Sequence, residues 1–364
     1  MKKLLASIFA VTLLFSSFSI AMANGELDAY YADDLEDHWA MNIMYQLIDA
    51  DIIKGYVDSD GVMTARPNKD ITRAEVVALL VRSLDLTSEG KGANFSDVPT
   101  DKWFYDPIQT ASALGIVNGV SQTTFAPNQD ISRQELATMV VRAFEYVQSI
   151  DFTYGESVDF IDSDTFSSWA VPSIDKASAV GIIEGYNGKF YPKGTATRAE
   201  TSSMLLNALN REGTNLPSDD ILENVVLSNE NEIYAAYQSE DYQSAYPVID
   251  RYTLGFHNAL LNASNDQLIE FVGDGYSYAF EQIGTPNTKV VGKNTRFAIV
   301  ELTGLSYEIT TTYNGESESV PDDTTEGNYF LRKVDGEWKI YGVNPFVYTN
   351  QAFKKQATIY SPVK

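Results

Sequence analysis

Thr72-Arg73-Ala74-Glu75, Ser132-Arg133-Gln134-Glu135 and Thr197-Arg198-Ala199-Glu200 each open an apolar run. All three have the S/T-x-x-E form of a capping box. In that motif the hydroxyl accepts from the amide three residues on, and the Glu reaches back to the capping residue's own amide. Three helix starts are therefore predicted, with the Thr/Ser and Glu side chains in structural roles. The Arg at the first helical position is harder to account for, because a cation there opposes the helix dipole at a cost of about a few tenths of a kcal/mol. Free helix-end amides beside a guanidinium fork make a carboxylate receptor. The plainer alternative is that each Arg pairs with a nearby Asp.

Outward from these starts, the surroundings recur as well. Pro67, Pro127 and Pro192 each precede the Arg by six positions, and Trp39, Trp103 and Trp169 recur at spacings of 64 and 66. Gly55, Gly119 and Gly185 lie sixteen positions beyond each Trp. An aromatic-x-Asp opens each unit: Tyr31-Ala32-Asp33, Phe95-Ser96-Asp97 and Phe160-Ile161-Asp162. After the Trp, apolar residues keep a helical period (Ile43, Met44, Leu47, Ile48; Ile108, Ala111, Leu114), so each unit reads as helix–loop–helix. Gly and Pro are 12, 8 and 7 positions apart, which confines the length variation to the loop. The Gly reads as a helix stop at C′, where positive φ is needed.

Composition sets the outer bounds. The 364 residues allow two or three domains, and an apolar share of 44% argues against wholesale disorder. Lys+Arg number 26 against 50 Asp+Glu, a formal net charge of −24, so no general field draws this chain to nucleic acid or anionic lipid. Cysteine is absent, which excludes disulfides, thiolate catalysis and Cys-based zinc sites; only His38 and His257 remain for a histidine-dependent centre. Asp58-Ser59-Asp60-Gly61 hints at calcium, but a third acid is missing and Lys69 stands where an EF-hand loop needs Glu, so no metal or other cofactor is expected. Residues 1–23 read as a secretory signal: Lys2 and Lys3, an apolar Leu4–Ile20, then Ala21-Met22-Ala23. No later stretch approaches the roughly 20 apolar residues of a membrane span. Export without membrane insertion after signal cleavage is the expectation.

The ordered set of aromatic-x-Asp, Trp, Gly-Tyr, x-Pro and Thr-Arg-Ala-Glu elements resembles the S-layer homology (SLH) family, over roughly residues 30–210. The resemblance implies three repeats, 24–90, 91–152 and 153–211, arranged about a pseudo-threefold axis with grooves between neighbours. It implies anchoring to the Gram-positive cell wall or S-layer surface through a secondary cell wall polysaccharide, often carrying a pyruvyl ketal. That ketal bears a carboxylate, the group an Arg at a helix start favours, so the residue-level reading and the resemblance converge on Arg73, Arg133 and Arg198. Family practice adds Asp33, Asp97 and Asp162 for sugar hydroxyls, and Gly55, Gly119 and Gly185 for close backbone approach. For Trp39, Trp103 and Trp169, packing is favoured over stacking on sugar. Repeat 2 departs most, with Gln134 for Ala and Gly119-Val120 for Gly-Tyr, and its groove is the first to doubt.

Beyond a linker at 212–219 the composition changes. Residues 220–364 read as a small α+β domain, with helices near 229–239, 248–262 and 265–272. Strands follow at 289–292, 295–302, 306–313, 328–334 and 338–343. Asn314-Gly315 and Asp335-Gly336 are hairpin-turn signals. The order loosely resembles the nuclear transport factor 2-like superfamily, helices followed by a curved antiparallel sheet, with Arg332-Lys333-Val334-Asp335-Gly336-Glu337-Trp338-Lys339 as its closing hairpin. No nucleophile–base motif is present, and the abundant tyrosines (Tyr234, Tyr237, Tyr242, Tyr246, Tyr252, Tyr276, Tyr278) read as packing before pocket. His257 reads as a core-edge residue. The sequence thus favours a non-enzymatic, wall-anchored surface protein whose C-terminal module binds an unknown ligand. The rivals are a wall-associated enzyme with its active site in that module, and a structural S-layer component.

Overall fold

The computed structural model describes residues 27–343 apart from 60, 323 and 324; the expected signal segment lies outside them. Contacts divide the chain into two compact units. One holds Asp33–Leu47 and Thr64–Asn215; the other joins Ile48–Met63 and Leu216–Lys364 with the segment before Asp33.

Six helices serve the repeat region: α1 (Met41–Asp49), α2 (Arg73–Ser83), α3 (Tyr105–Ala113), α4 (Arg133–Val147), α5 (Val171–Ala179) and α6 (Arg198–Asn210). Capping boxes form at Thr72/Glu75, Ser132/Glu135 and Thr197/Glu200. Each orders the first turn locally and leaves the apolar face of its helix to pack. Val77 and Leu80 of α2, Leu136, Val140 and Phe144 of α4, and Leu205 and Leu209 of α6 are all buried.

The helix stops differ from expectation. The positive-φ residues after α1, α3 and α5 are Asp51, Gly115 and Gly181, four positions before the glycines expected there. Of Gly55, Gly119 and Gly185, only Gly185 has positive φ. What these positions share is crowding. A Cβ on Gly119 would lie 2.6 Å from the Phe95 ring and 2.4 Å from the Ser121 carbonyl; one on Gly185 would lie 2.6 Å from the Phe160 ring. At Gly55 the obstacle is the flexible Met63 side chain. At Gly119 and Gly185 the glycine is thus kept by loop carbonyls and the aromatic of the aromatic-x-Asp element rather than by helix termination.

The C-terminal unit contains α7 (Asp219–Gln238), α8 (Ala245–Tyr252) and α9 (Gly255–Gly273), then an antiparallel sheet. Two short strands, β1 (Tyr56–Val57) and β2 (Met63–Thr64), come earlier in the chain. The sheet comprises β3 (Tyr276–Lys293), β4 (Phe297–Tyr313), β5 (Glu316–Asp322), β6 (Gly327–Val334) and β7 (Glu337–Val343), in the order β3-β4-β6-β7. The first half of β4 pairs with β6 and its second half with β5. Register shifts in β3 and the facing positive-φ pair Gly284 and Gly304 break the flat pleat, which curls the sheet. Leu222, Val226, Leu268, Val300, Ile309, Leu331 and Ile340 fill the space between α7–α9 and the sheet.

Two expectations for this region are corrected, and one strand that the sequence did not announce is added. The helix expected from 229 begins at Asp219, inside the expected linker. The strand expected at 289–292 is the tail of an eighteen-residue β3 whose alternating Tyr276, Tyr278 and Phe280 carried the strand period unread. The polar β5, with Pro321 in it, has little strand propensity and forms because the Asn314-Gly315 turn folds it back on β4.

Candidate functional site

Each repeat's second loop is built the same way. Asp97 accepts from the Phe125 and Ala126 amides at 2.9 and 2.7 Å, and Asp162 accepts from Phe190 and Tyr191 at 2.9 and 2.8 Å. In repeat 1 the corresponding residue is Asp34, which accepts from Ala65 and Arg66 at 2.8 and 2.7 Å; Asp33 stands exposed beside it. The Tyr31-Ala32-Asp33 register was therefore one residue off. These carboxylates hold Arg66, Ala126 and Tyr191 in the left-handed region, φ 50, 60 and 57°, immediately before Pro67, Pro127 and Pro192. A side chain other than Gly is strained there, and the two charge-assisted bonds offset it.

The tight loops present carbonyls to the next helix start. Arg73 N donates to Gln129 O and Ala74 N to Pro127 O; Arg133 N to Gly194 O and Gln134 N to Pro192 O; Arg198 N to Lys69 O and Ala199 N to Pro67 O, all between 2.9 and 3.0 Å. A second cycle runs Ile71 N to Ala196 O, Ala196 N to Ile131 O and Ile131 N to Ile71 O, each 3.0 Å. The receptor of free helix-end amides expected from the sequence is thus not present: the first two amides of each helix are held by a neighbouring loop, and the third serves the cap.

The arginines close a ring. Arg73 Nη1 meets Glu135 Oε1 at 2.9 Å, Arg133 Nη1 meets Glu200 Oε1 at 2.8 Å, and Arg198 Nη1 lies 3.9 Å from Glu75 Oε1. Each Arg Nε donates to a loop carbonyl, Phe125, Phe190 and Ala65 respectively, and Arg73 and Arg133 also lie over the Phe125 and Phe190 rings. Each Glu divides its oxygens: Oε2 closes its own cap, while Oε1 receives the Arg of the preceding repeat. The partner is the capping-box Glu of the next unit, not a nearby Asp. Burial pulls the Arg73 guanidinium below its ordinary pKa, and Glu135 pulls the other way.

Trp39, Trp103 and Trp169 are 61%, 61% and 51% exposed, against the expected packing. Gln134, read as a departure, is buried and joins two repeats: its Nε2 donates to Ser167 Oγ at 3.1 Å and its Oε1 accepts from Ser167 N at 3.1 Å. Sequence reasoning missed Asp34, Gln134 and the second role of the three Glu. Only Asp34 left a signal, as an acid adjacent to the one chosen.

In the C-terminal unit a second polar cluster lies under the sheet. Glu230 Oε1 accepts from Tyr329 Oη and from Asn229 Nδ2, both at 3.0 Å. Burial, with Asp322 nearby adding a like charge, raises the Glu230 carboxyl to about 7 despite those two bonds. His257 is buried, as expected of a core-edge residue, and burial lowers it to about 4. Among the described residues no group of three or more His, Cys, Asp or Glu is arranged to hold a metal ion.

A helical repeat module knit by arginine–glutamate pairs, with an exposed Trp on each repeat, is the class this geometry defines. Residues 94–137 and 160–202 match the model of the S-layer homology domain, and the chain carries SLH domains. It is 32% identical over half its length to an amylopullulanase of Thermoanaerobacterium thermosulfurigenes, and 37% identical over 44% to a surface-layer 125 kDa protein of Lysinibacillus sphaericus. It is 29% identical over 57% to the middle cell wall protein of Brevibacillus brevis. The aligned stretches cover 10%, 13% and 18% of those proteins. The chain is thus a secreted protein of the cell wall or S-layer surface, anchored through its SLH region.

Proposed function

We propose that residues 27–211 form three SLH repeats in a pseudo-threefold arrangement, and that their grooves hold a secondary cell wall polysaccharide through its pyruvyl carboxylates. The observation that carries this reading is a guanidinium fixed by a loop carbonyl at each of the three helix starts, together with an exposed Trp in each repeat. A charge anchors an anionic substituent, and an indole face suits a sugar ring. Asp34, Asp97 and Asp162 shape the groove through the loop rather than by offering free carboxylates. The C-terminal unit is a binding or interaction module presented at the wall, without enzymatic activity. Full-length protein is expected to bind purified wall sacculi, and to lose binding when the wall polymer or its pyruvyl groups are removed. Equal binding to stripped sacculi would defeat the reading.

A second reading takes its support from Glu230. A carboxyl raised to about 7, beside Asp322 and bonded to Tyr329, suits general acid chemistry in the C-terminal unit. The amylopullulanase among the relatives illustrates SLH-type sequence within an enzyme. Turnover of a wall glycan by wild type and not by Glu230→Gln would favour it.

A further inference from the structure

Where β4 meets β6, the sheet of the C-terminal unit is buried on both faces. Ala298, Val300, Tyr329 and Leu331 belong to the core beneath α7–α9. The residues alternating with them point to the reverse face, where Phe297 pairs with Arg332 and Ile299 with Phe330. Those four are nonetheless 8% exposed or less. Arg332 shows what reaches this face: its Nη1 donates to the carbonyl of Ala50, one residue past the end of α1. Ala50 lies in Ile48–Met63, a stretch of the first repeat whose contacts place it in the C-terminal unit.

Three consecutive residues make these contacts. Gly255, the first residue of α9, has φ 59°, and a Cβ there would collide with the Asp49 carbonyl. The Arg332 guanidinium takes the Ala50 carbonyl, and a buried cation is well placed there because a helix end leaves carbonyls without donors and favours positive charge. Asp51 Oδ1 accepts from Tyr30 Oη at 2.9 Å. Tyr30 in turn packs edge-on against Phe256 of α9, ring centroids 5.9 Å apart, beside Leu27, Ala259 and Ala263.

The sequence sets this helix end apart from its two siblings. Asp49-Ala50-Asp51 begins ten positions after Trp39; at the same distance from Trp103 and Trp169 stand Ala113-Leu114-Gly115 and Ala179-Val180-Gly181. The last residue of each triplet has positive φ, 56, 71 and 72°, yet only the first repeat places a side chain there. The strain of that choice is offset by the bond from Tyr30. Leu114 and Val180 are partly exposed, whereas Ala50 is fully buried and small enough to let a partner approach its carbonyl.

We infer that Asp49-Ala50-Asp51 is a docking element for the C-terminal unit. The reverse face of the sheet and the start of α9 form its receptor, and the unit is complete only with this segment in place. The occupant of that surface is a fixed part of the same chain, so the module is not a detachable cargo. This goes beyond the wall-polymer reading and does not depend on it.

The test is hydrogen–deuterium exchange of the full-length protein, read by mass spectrometry on peptides from β6–β7, from residues 48–53 and from the first half of α9. Ala50→Leu gives the first repeat the residue of the second and overpacks a buried position; exchange in β6–β7 is expected to rise about tenfold. Val180→Leu, at the matching position of repeat 3, is expected to leave β6–β7 unchanged. Arg332→Gln acts from the other side and is expected to speed exchange at residues 48–53 about fivefold. Asp51→Gly keeps the helix stop, removes only the Tyr30 bond, and is expected to speed exchange in the first half of α9 about threefold. The inference is overturned if folded Ala50→Leu exchanges in β6–β7 as wild type does, or if the effect of Arg332→Gln stops within the sheet. Equal acceleration by Val180→Leu would also overturn it, since the effect would then be general to the repeats. Should Ala50→Leu not fold, Arg332→Gln and Asp51→Gly carry the decision, each by whether its effect crosses to the other side of the contact.

Discussion

The ring of helix starts in the repeat unit and the polar cluster around Glu230 in the C-terminal unit handle buried charge in opposite ways. In the ring, each carboxylate meets a guanidinium and the capping amide of its own helix, so both oxygens are occupied. Around Glu230 no cation is found among the described residues: a tyrosine and an amide solvate one oxygen, a second acid lies near, and the carboxyl keeps its proton until about pH 7. Paired charge builds a rigid frame, whereas unpaired buried charge builds a titrating group.

The comparison breaks first at Arg73. Arg73→Ala leaves Glu135 half-shielded without its cation and strips a loop carbonyl of its donor; a loss of about 3–5 kcal/mol is expected in the denaturant-induced unfolding of the repeat unit. A loss below about 1 kcal/mol would mean that the ring pairs behave as surface ion pairs.

Glu230→Gln tests the other side. The folded-state pKa of about 7 exceeds the ordinary glutamate value of 4.5, so the folded protein holds its proton more tightly than the unfolded chain does. That contribution to stability is fully present below pH 4.5 and is lost as pH rises through 7. The neutral variant is therefore expected to gain about 3 kcal/mol over wild type at pH 8 and to show no comparable gain at pH 4. Thermal melts at the two pH values check this; an equal gain at both would remove the proton from the account.

Smaller effects separate the glycines. Gly119→Ala, which forces a methyl into backbone oxygens and a phenyl ring, is expected to cost about 2 kcal/mol. Gly55→Ala meets only the movable end of Met63 and is expected to cost under about 1 kcal/mol, both by chemical denaturation. The smallest effect on folding is at the indoles. Trp103→Ala is expected to shift stability by no more than about 0.5 kcal/mol while weakening sacculus binding, because the side chain is mostly solvated. A large loss of stability would restore the packing role that its sequence position suggested.

Much of this frame was legible without coordinates. The capping boxes, the loop that absorbs length changes and the two hairpin turns were read correctly because each depends on a few consecutive residues. The Asp register in repeat 1 was not, because Asp33 and Asp34 are equally good by spacing and only the amides of Ala65 and Arg66 choose between them. The glycines were misassigned for a related reason: a helix stop and a crowded loop look alike in sequence. The tyrosines of β3 were seen as residues and missed as a period.

By itself the sequence determined where helices begin, that the unit recurs, and that an Arg sits at each start beside a Glu. Those are local facts, enforced by hydrogen bonds spanning three or four residues. Only the tertiary structure decided which Glu each Arg meets, since the pairs lie 62 and 67 residues apart for Arg73 and Arg133, whereas the Glu of the same motif follows each Arg by two positions. Closing the ring turns each carboxylate toward its neighbour's guanidinium. It also leaves Arg133 with two of its three nitrogens engaged, by the Phe190 carbonyl and by Glu200.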